Sequence, residues 1–198
     1  MKIYLGSLRE WHWISSAMCL VGMLLFAITG ITLNHAAQIN ATPKVTTIEA
    51  KIPAAIVTGI KIPTAENAPL PEEIINWLNE NQGIYTGTKN AEWSEDEIYL
   101  SLPRPGGDAW LTIDLSTGAL EYELTERGWI SYFNDLHKGR NTGTPWSWFI
   151  DFFAVACIIF CITGLLLLKR YAGGRPATWP MVGLGLVLPW ILILLFIH

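Results

Sequence analysis

The chain carries four histidines, His12, His35, His137 and His198, and each falls at the end of a long apolar segment. An imidazole at a membrane boundary can hydrogen-bond a lipid head group, or it can ligate a metal. Two imidazoles on neighbouring helices at one depth can hold haem iron from both sides and make a low-spin electron-transfer centre. His35 and His137 meet that requirement in sequence terms, because one closes the first apolar segment and the other precedes the second. His35 follows His12 by 23 residues, about 34 Å along a helix, so these two mark opposite membrane faces. His12 has no second histidine at its own face, and the simplest source of one is a second copy of the chain across a two-fold axis. His198 closes the last apolar segment. Lys138 and Arg140 flank His137 and suit haem propionates or an anionic chelate.

Other reactive residue types offer less. Cys19, Cys157 and Cys161 all lie in apolar segments, where they read as small filler at helix contacts. There is no C-x-x-C-H for a covalently attached haem and no disulfide framework. In the domain at about residues 45–125 no cluster of histidines, cysteines or paired carboxylates suggests catalysis. The acidic run Glu92, Glu95, Asp96, Glu97 reads as a solvated face. Asp151, one turn into the second apolar segment, is costly against lipid and so is a functional candidate. Asn34 and Asp135 are candidates to orient the neighbouring histidines.

The elements that must position these residues are membrane helices. Half of the 198 residues (51%) are apolar and 15% are charged, which excludes a disordered tail and a nucleic-acid binder with a basic stripe. Uncharged runs extend from Trp11 to Asn34, from Thr144 to Leu168 with Asp151 as the single interruption, and from Pro176 to His198. A span needs about 20 mostly apolar residues, and each run supplies them. The first is too long for a cleaved signal peptide. Gly183, Gly185 and Pro189 weaken the third and leave a re-entrant segment as its alternative. Lys2 and Arg9 precede the first span, and Lys169, Arg170 and Arg175 lie between the second and third, which puts both regions on the cytoplasmic side. Residues 36–145 are then outside, carrying 15 of the 17 acidic and 8 of the 13 basic residues. Seven of the ten tryptophans flank the spans, as an aromatic belt requires. Phe26-Ala27-Ile28-Thr29-Gly30 in the first span recurs as Phe160-Cys161-Ile162-Thr163-Gly164 in the second. Small residues let helix backbones approach and Thr can bond across, so the repeat marks helix contact or cofactor clearance.

Within the outer region, residues 36–68 read as extended chain with one or two short strands. Pro71, Glu72 and Glu73 open a helix that Gly83 ends. Strand patterns follow at 84–87, 97–102, 109–115 and 119–124, with turns at 104–108 and 116–118. The expectation is one helix on a small antiparallel sheet.

The helix, strand and turn pattern closing on Ile113-Asp114-Leu115-Ser116-Thr117-Gly118-Ala119-Leu120 resembles the PepSY module. The stretches Ile28-Thr29-Gly30-Ile31-Thr32-Leu33-Asn34-His35 and Asp135-Leu136-His137-Lys138-Gly139-Arg140 resemble the PepSY-associated transmembrane family. That wider family includes inner-membrane ferric-siderophore reductases with b-type haems between helix histidines. Those relatives carry four spans, against three here. With the three spans read from the uncharged runs, the resemblance gives the expected fold: a membrane α-helical bundle of three transmembrane helices with a small extracytoplasmic α+β PepSY-like domain between helices one and two. The expected boundaries are 1–36 for the cytoplasmic N-terminus and first helix, 37–143 for the periplasmic domain, 144–170 for the second helix, 171–179 for a cytoplasmic loop and 180–198 for the third helix.

The function implied is a haem b electron-transfer protein of the bacterial inner membrane that reduces ferric iron or a ferric siderophore during iron uptake. His35, His137, His12 and His198 are its candidate haem ligands, and Lys138 and Arg140 the residues for its propionates. The implied partners are the lipid bilayer, a second copy in a homodimer, a ferric chelate as acceptor and a quinol or another redox protein as donor. No nucleic acid is implied. The rival reading is a membrane-anchored PepSY regulatory module, or an accessory subunit, without haem.

Overall fold

A capping box opens the first helix. The Ser7 hydroxyl accepts from the Glu10 amide and the Glu10 carboxylate accepts from the Ser7 amide, so two orphan donors are satisfied before the apolar run begins. The helix, α1, runs Leu8–Asn34. In this computed structural model, which describes residues 6–197, two more long helices follow at Thr144–Tyr171 (α5) and Thr178–Phe196 (α6). All three are long and apolar enough to cross a bilayer. Pro189 lies inside α6 without ending it. Proline is tolerated within membrane helices because neighbouring groups take up the freed carbonyl. His198 and Lys2 lie outside the described residues.

The chain divides into two compact units. One comprises α1 up to Leu25 together with the chain from Trp148 onward. At Gly22 of α1 a Cβ would strike the Phe153 ring of α5, so this glycine makes room for an aromatic side chain.

The other unit is Phe26–Ser147. Its sheet contains β1 (Lys44–Lys51), β2 (Asn67–Pro69), β3 (Asn90–Trp93), β4 (Glu97–Ser101), β5 (Gly107–Asp114) and β6 (Ala119–Glu126). The order is β1-β6-β5-β4-β3-β2, and every neighbouring pair is antiparallel. A short helix, α2, spans Ala54–Val57, and α3 spans Glu72–Trp77. The chain continues from α3 as a π-helical turn, Leu78–Gln82, which Gly83 closes in the left-handed region. Pro71 caps α3 and Glu72 and Glu73 occupy its first turn, as the sequence pattern requires. Ile74 and Leu78 lie on the sheet face built by Ile98, Leu100, Leu111, Ile113 and Leu120. The alternation along β4 and β5 sends these residues inward.

Two expectations change. The stretch 84–87 is not a strand, because Gly83 and Gly87 both adopt positive φ and the Ile84 amide bonds back to the Leu78 carbonyl. Its place in the sheet is taken by β3. A further helix, α4 (Trp129–Lys138), stands where no element was expected; Gly128 and Gly139, both at positive φ, bound it.

Candidate histidine sites

Each unit contains one histidine held by one copy of the repeated F-x-x-T-G sequence. In the unit that contains the sheet, α4 presents His137 to the last turns of α1. The His137 Nδ1 lies 2.6 Å from Thr29 Oγ1, and Thr29 donates its own hydroxyl hydrogen to the Phe26 carbonyl at 3.1 Å. The Phe26 ring packs on the imidazole at 4.7 Å between centroids. A Cβ at Gly30 would lie 3.9 Å from His137 Cε1.

The second copy repeats the arrangement in the other unit. His12 Nδ1 lies 3.0 Å from Thr163 Oγ1, and Thr163 donates to the Ile159 carbonyl at 2.7 Å. Phe160 stacks on the His12 ring at 4.8 Å and 13°. A Cβ at Gly164 would come to 3.3 Å from His12 Cε1. In each copy Phe supplies an apolar wall and Thr a hydrogen-bond partner; at Gly164 the absent Cβ also gives clearance, whereas at Gly30 a Cβ would stand at ordinary contact distance.

Each Thr hydroxyl has one hydrogen and lies within reach of a carbonyl of the preceding helical turn as well as of the imidazole. When that hydrogen goes to the carbonyl, the Thr oxygen accepts from Nδ1–H, and the lone pair of a neutral ring lies on Nε2, the nitrogen that ligates a metal. Among the described residues no hydrogen bond reaches Nε2 of either histidine. In that tautomer the chemistry open to Nε2 is ligation of a metal or acceptance of a proton.

At His35 the partner of Nδ1 is a backbone carbonyl. This histidine is exposed at the end of α1, and its Nδ1 lies 3.0 Å from the Ile31 carbonyl, which only accepts. Six residues separate it from Thr29, about two-thirds of a turn around a helix. Among the described residues no hydrogen bond or ring contact joins His35 to His137, and no group of three or more His, Cys, Asp or Glu gathers as a metal cluster. Lys138 and Arg140 line, with Arg127 and Trp129, a cleft of about 580 Å³ beside α4 that does not include His137. Asp135 does not orient a histidine. Its carboxylate accepts from the Gly106 amide at 2.8 Å, while its neighbour Asn134 bonds Thr32 of α1 at 2.6 Å. Asp151 is exposed on α5.

Sequence reasoning found the repeat but not its task, since nothing in either pentapeptide says which side chain docks on it. It also missed the surroundings of His12. A recess of about 380 Å³ is lined by His12, Gly164, Leu168, Tyr171 and Arg175, and Arg9 donates to the Tyr171 hydroxyl at 3.0 Å. Of the basic residues read as orientation signals, Arg175 thus also lines the recess of an imidazole, and Arg9 bonds the tyrosine that lines it.

Three membrane-spanning helices, with an antiparallel sheet between the first and second, make this an integral membrane protein in contact with the lipid bilayer. The chain belongs to the Putative PepSY_TM-like family, whose sequence model matches residues 3–198. No curated protein and no solved structure matches it.

Proposed function

We propose that this protein is a haem b-containing electron-transfer protein of the bacterial inner membrane, with the sheet as its periplasmic PepSY domain. It passes electrons outward to ferric iron or a ferric siderophore in iron uptake. The observation that carries the reading is the pair of imidazoles, His12 and His137, each with Nδ1 committed to a Thr hydroxyl and Nε2 free. This donor set fits haem iron, because neutral imidazole bound through Nε2 is its common axial ligand and a partner on Nδ1 fixes the ring orientation. When bound, haem supplies reversible one-electron exchange, which no side chain here provides.

The chain's own residues do the rest. Thr29 and Thr163 hydrogen-bond Nδ1 of their histidines, Phe160 stacks on the His12 ring while Phe26 packs at a tilt beside that of His137, and Gly164 leaves room at Cε1 of His12. His35, also a donor from Nδ1, and His198 complete the candidate ligands. Lys138 and Arg140 suit propionates or an anionic ferric chelate. A second copy of the chain supplies the imidazole that His12 lacks. The sequence contains no dinucleotide-binding G-x-G-x-x-G, so the donor is a quinol or another redox protein.

The test is an absorption spectrum of detergent-purified protein expressed with ample haem, before and after dithionite. A sharp Soret and α band on reduction is expected, with loss of haem in His12→Ala and His137→Ala variants that keep the wild-type circular dichroism. Absence of haem in the wild-type protein overturns the reading and leaves a membrane-anchored PepSY module or accessory subunit.

A further inference from the structure

Helix α4 is amphipathic the wrong way round for a protein in water. Its polar residues Asn134 and Asp135 are each only 8% exposed, and they bond inward to Thr32 and Gly106. Its aromatic residues point away from the protein: Trp129 is 75% exposed and Phe133 49%. Their rings, with that of Tyr132, form one cluster with centroid separations of 5.7 to 6.2 Å. Around a 3.6-residue helix, Trp129, Phe133 and Leu136 fall on one side and Ser131, Asn134 and Asp135 largely opposite. Water offers no reason for that distribution, and a hydrocarbon boundary does.

We propose that α4 is an interfacial helix whose aromatic face is buried in the lipid leaflet next to the sheet domain. Two observations name lipid as the occupant. First, the inner face of α4 is bonded to Thr29 and Thr32, which belong to the membrane-spanning helix α1. On α1 the neighbouring residues Ile28 and Ile31 are themselves exposed, so the outward face of α4 continues a surface that already meets acyl chains. Second, exposed Arg127 stands just before α4 and exposed Lys138 and Arg140 at its other end. Among the described residues no ion pair neutralises them. Long basic side chains at the ends of an interfacial helix reach lipid phosphates while their stems lie on the apolar surface. The leaflet therefore presses α4 onto α1, and His137 is held at Thr29 by lipid as well as by protein. Haem plays no part in this inference, so it stands or falls apart from the electron-transfer reading.

The test places a spin label at Ile130→Cys, Phe133→Cys and, as a water-exposed control in the sheet domain, Tyr85→Cys. Cys19, Cys157 and Cys161 are replaced by Ala, and the protein is reconstituted in phosphatidylcholine and phosphatidylglycerol vesicles. Oxygen concentrates in lipid and a nickel chelate in water. The expected result is a severalfold higher ratio of oxygen to nickel relaxation at residues 130 and 133 than at 85. Nickel accessibility equal to that at residue 85 overturns the proposal. Protection from both reagents with dipolar broadening also overturns it, because a second copy then covers the face. A conservative variant guards against misfolding: brominated lipid should quench wild-type fluorescence more than that of Trp129→Phe, and equal quenching counts against the proposal.

Discussion

A single hydroxyl stands at Nδ1 of each imidazole. Thr29 and Thr163 accept from their histidines when their own hydrogens go to the backbone carbonyls within reach. Thr29→Val and Thr163→Val keep the shape and remove the oxygen. The loss should cost about 0.5–1.5 kcal/mol of stability, as for one hydrogen bond, and free the ring to exchange tautomers. In haem-free protein labelled with 15N-histidine, the Nδ1–H population of the matching histidine should fall, and Thr→Ser should restore it. Unchanged nitrogen shifts in the Val variants would remove the Thr from this role. A second residue-scale prediction concerns Asp114. Its carboxylate accepts from the Ser116 hydroxyl and the Ser116 and Thr117 amides, and the Ser116 hydroxyl leads in lowering its pKa from 3.8 to about 2. The folded value is below the unfolded one. The carboxylate therefore stabilises the β5–β6 turn at all pH above the ordinary value, and that contribution disappears as pH falls toward about 2. Asp114→Asn should flatten the acid-unfolding curve of the sheet in this window and leave its slope near neutral pH alone. A variant curve that superimposes on wild type would show that the turn does not depend on the charge.

At the scale of elements, the contact that places α4 is the β4–β5 turn. Gly106 adopts φ +72°, and a Cβ there would lie 2.7 Å from both Cα and Cβ of Tyr132. Backbone cannot yield as a side-chain tip can, so Gly106→Ala must lift α4 from the turn or distort it. Overpacking of this kind costs about 1–3 kcal/mol, and the left-handed φ adds roughly 1 kcal/mol. Thermal unfolding should shift down accordingly and proteolysis should open the chain near Arg127; wild-type behaviour in both assays would show that the approach is not required. Such contacts explain what the sequence could and could not announce. The hairpins of β4, β5 and β6 were legible because period-two alternation and Gly turns are local signals. So were the three spans, whose length and lack of charge suffice. Strand β3 was misplaced because Ile84, apolar and β-branched, caps the helical turn before it instead of entering the sheet. Helix α4 was overlooked although Trp129, Phe133 and Leu136 repeat at helical spacing between two glycines. Its apolar stripe faces away from the core, and a pattern read for burial in protein assigns it to no element. The F-x-x-T-G repeat was visible, but the histidines it holds come from distant parts of the chain, and long-range docking leaves no periodic trace.

For the whole molecule, the count of ligands sets the stoichiometry. Each unit brings one imidazole to one Phe-Thr-Gly box, and among the described residues no second histidine bonds or stacks with either. Low-spin haem needs two axial ligands. His35 is available within the same unit as His137, whereas the unit that holds His12 contains no other described histidine. If haem binds at His12 with two imidazoles, the proposed source of the second is a symmetry-related chain, where a two-fold axis pairs His12 with its own copy. Mixed dimers make this decisive. Wild-type and His12→Ala chains carrying different affinity tags are co-expressed, and the heterodimer is isolated by passage over both resins. If the two copies share one haem at this position, a single alanine removes it. The heterodimer should then carry no more haem there than the His12→Ala homodimer, and both should keep the haem at His137. If each chain holds its own haem, the heterodimer retains half of the signal lost in the homodimer, and the shared site is excluded. Recovery of no doubly tagged species at all would likewise exclude it, because a ligand that spans two chains requires both to be present.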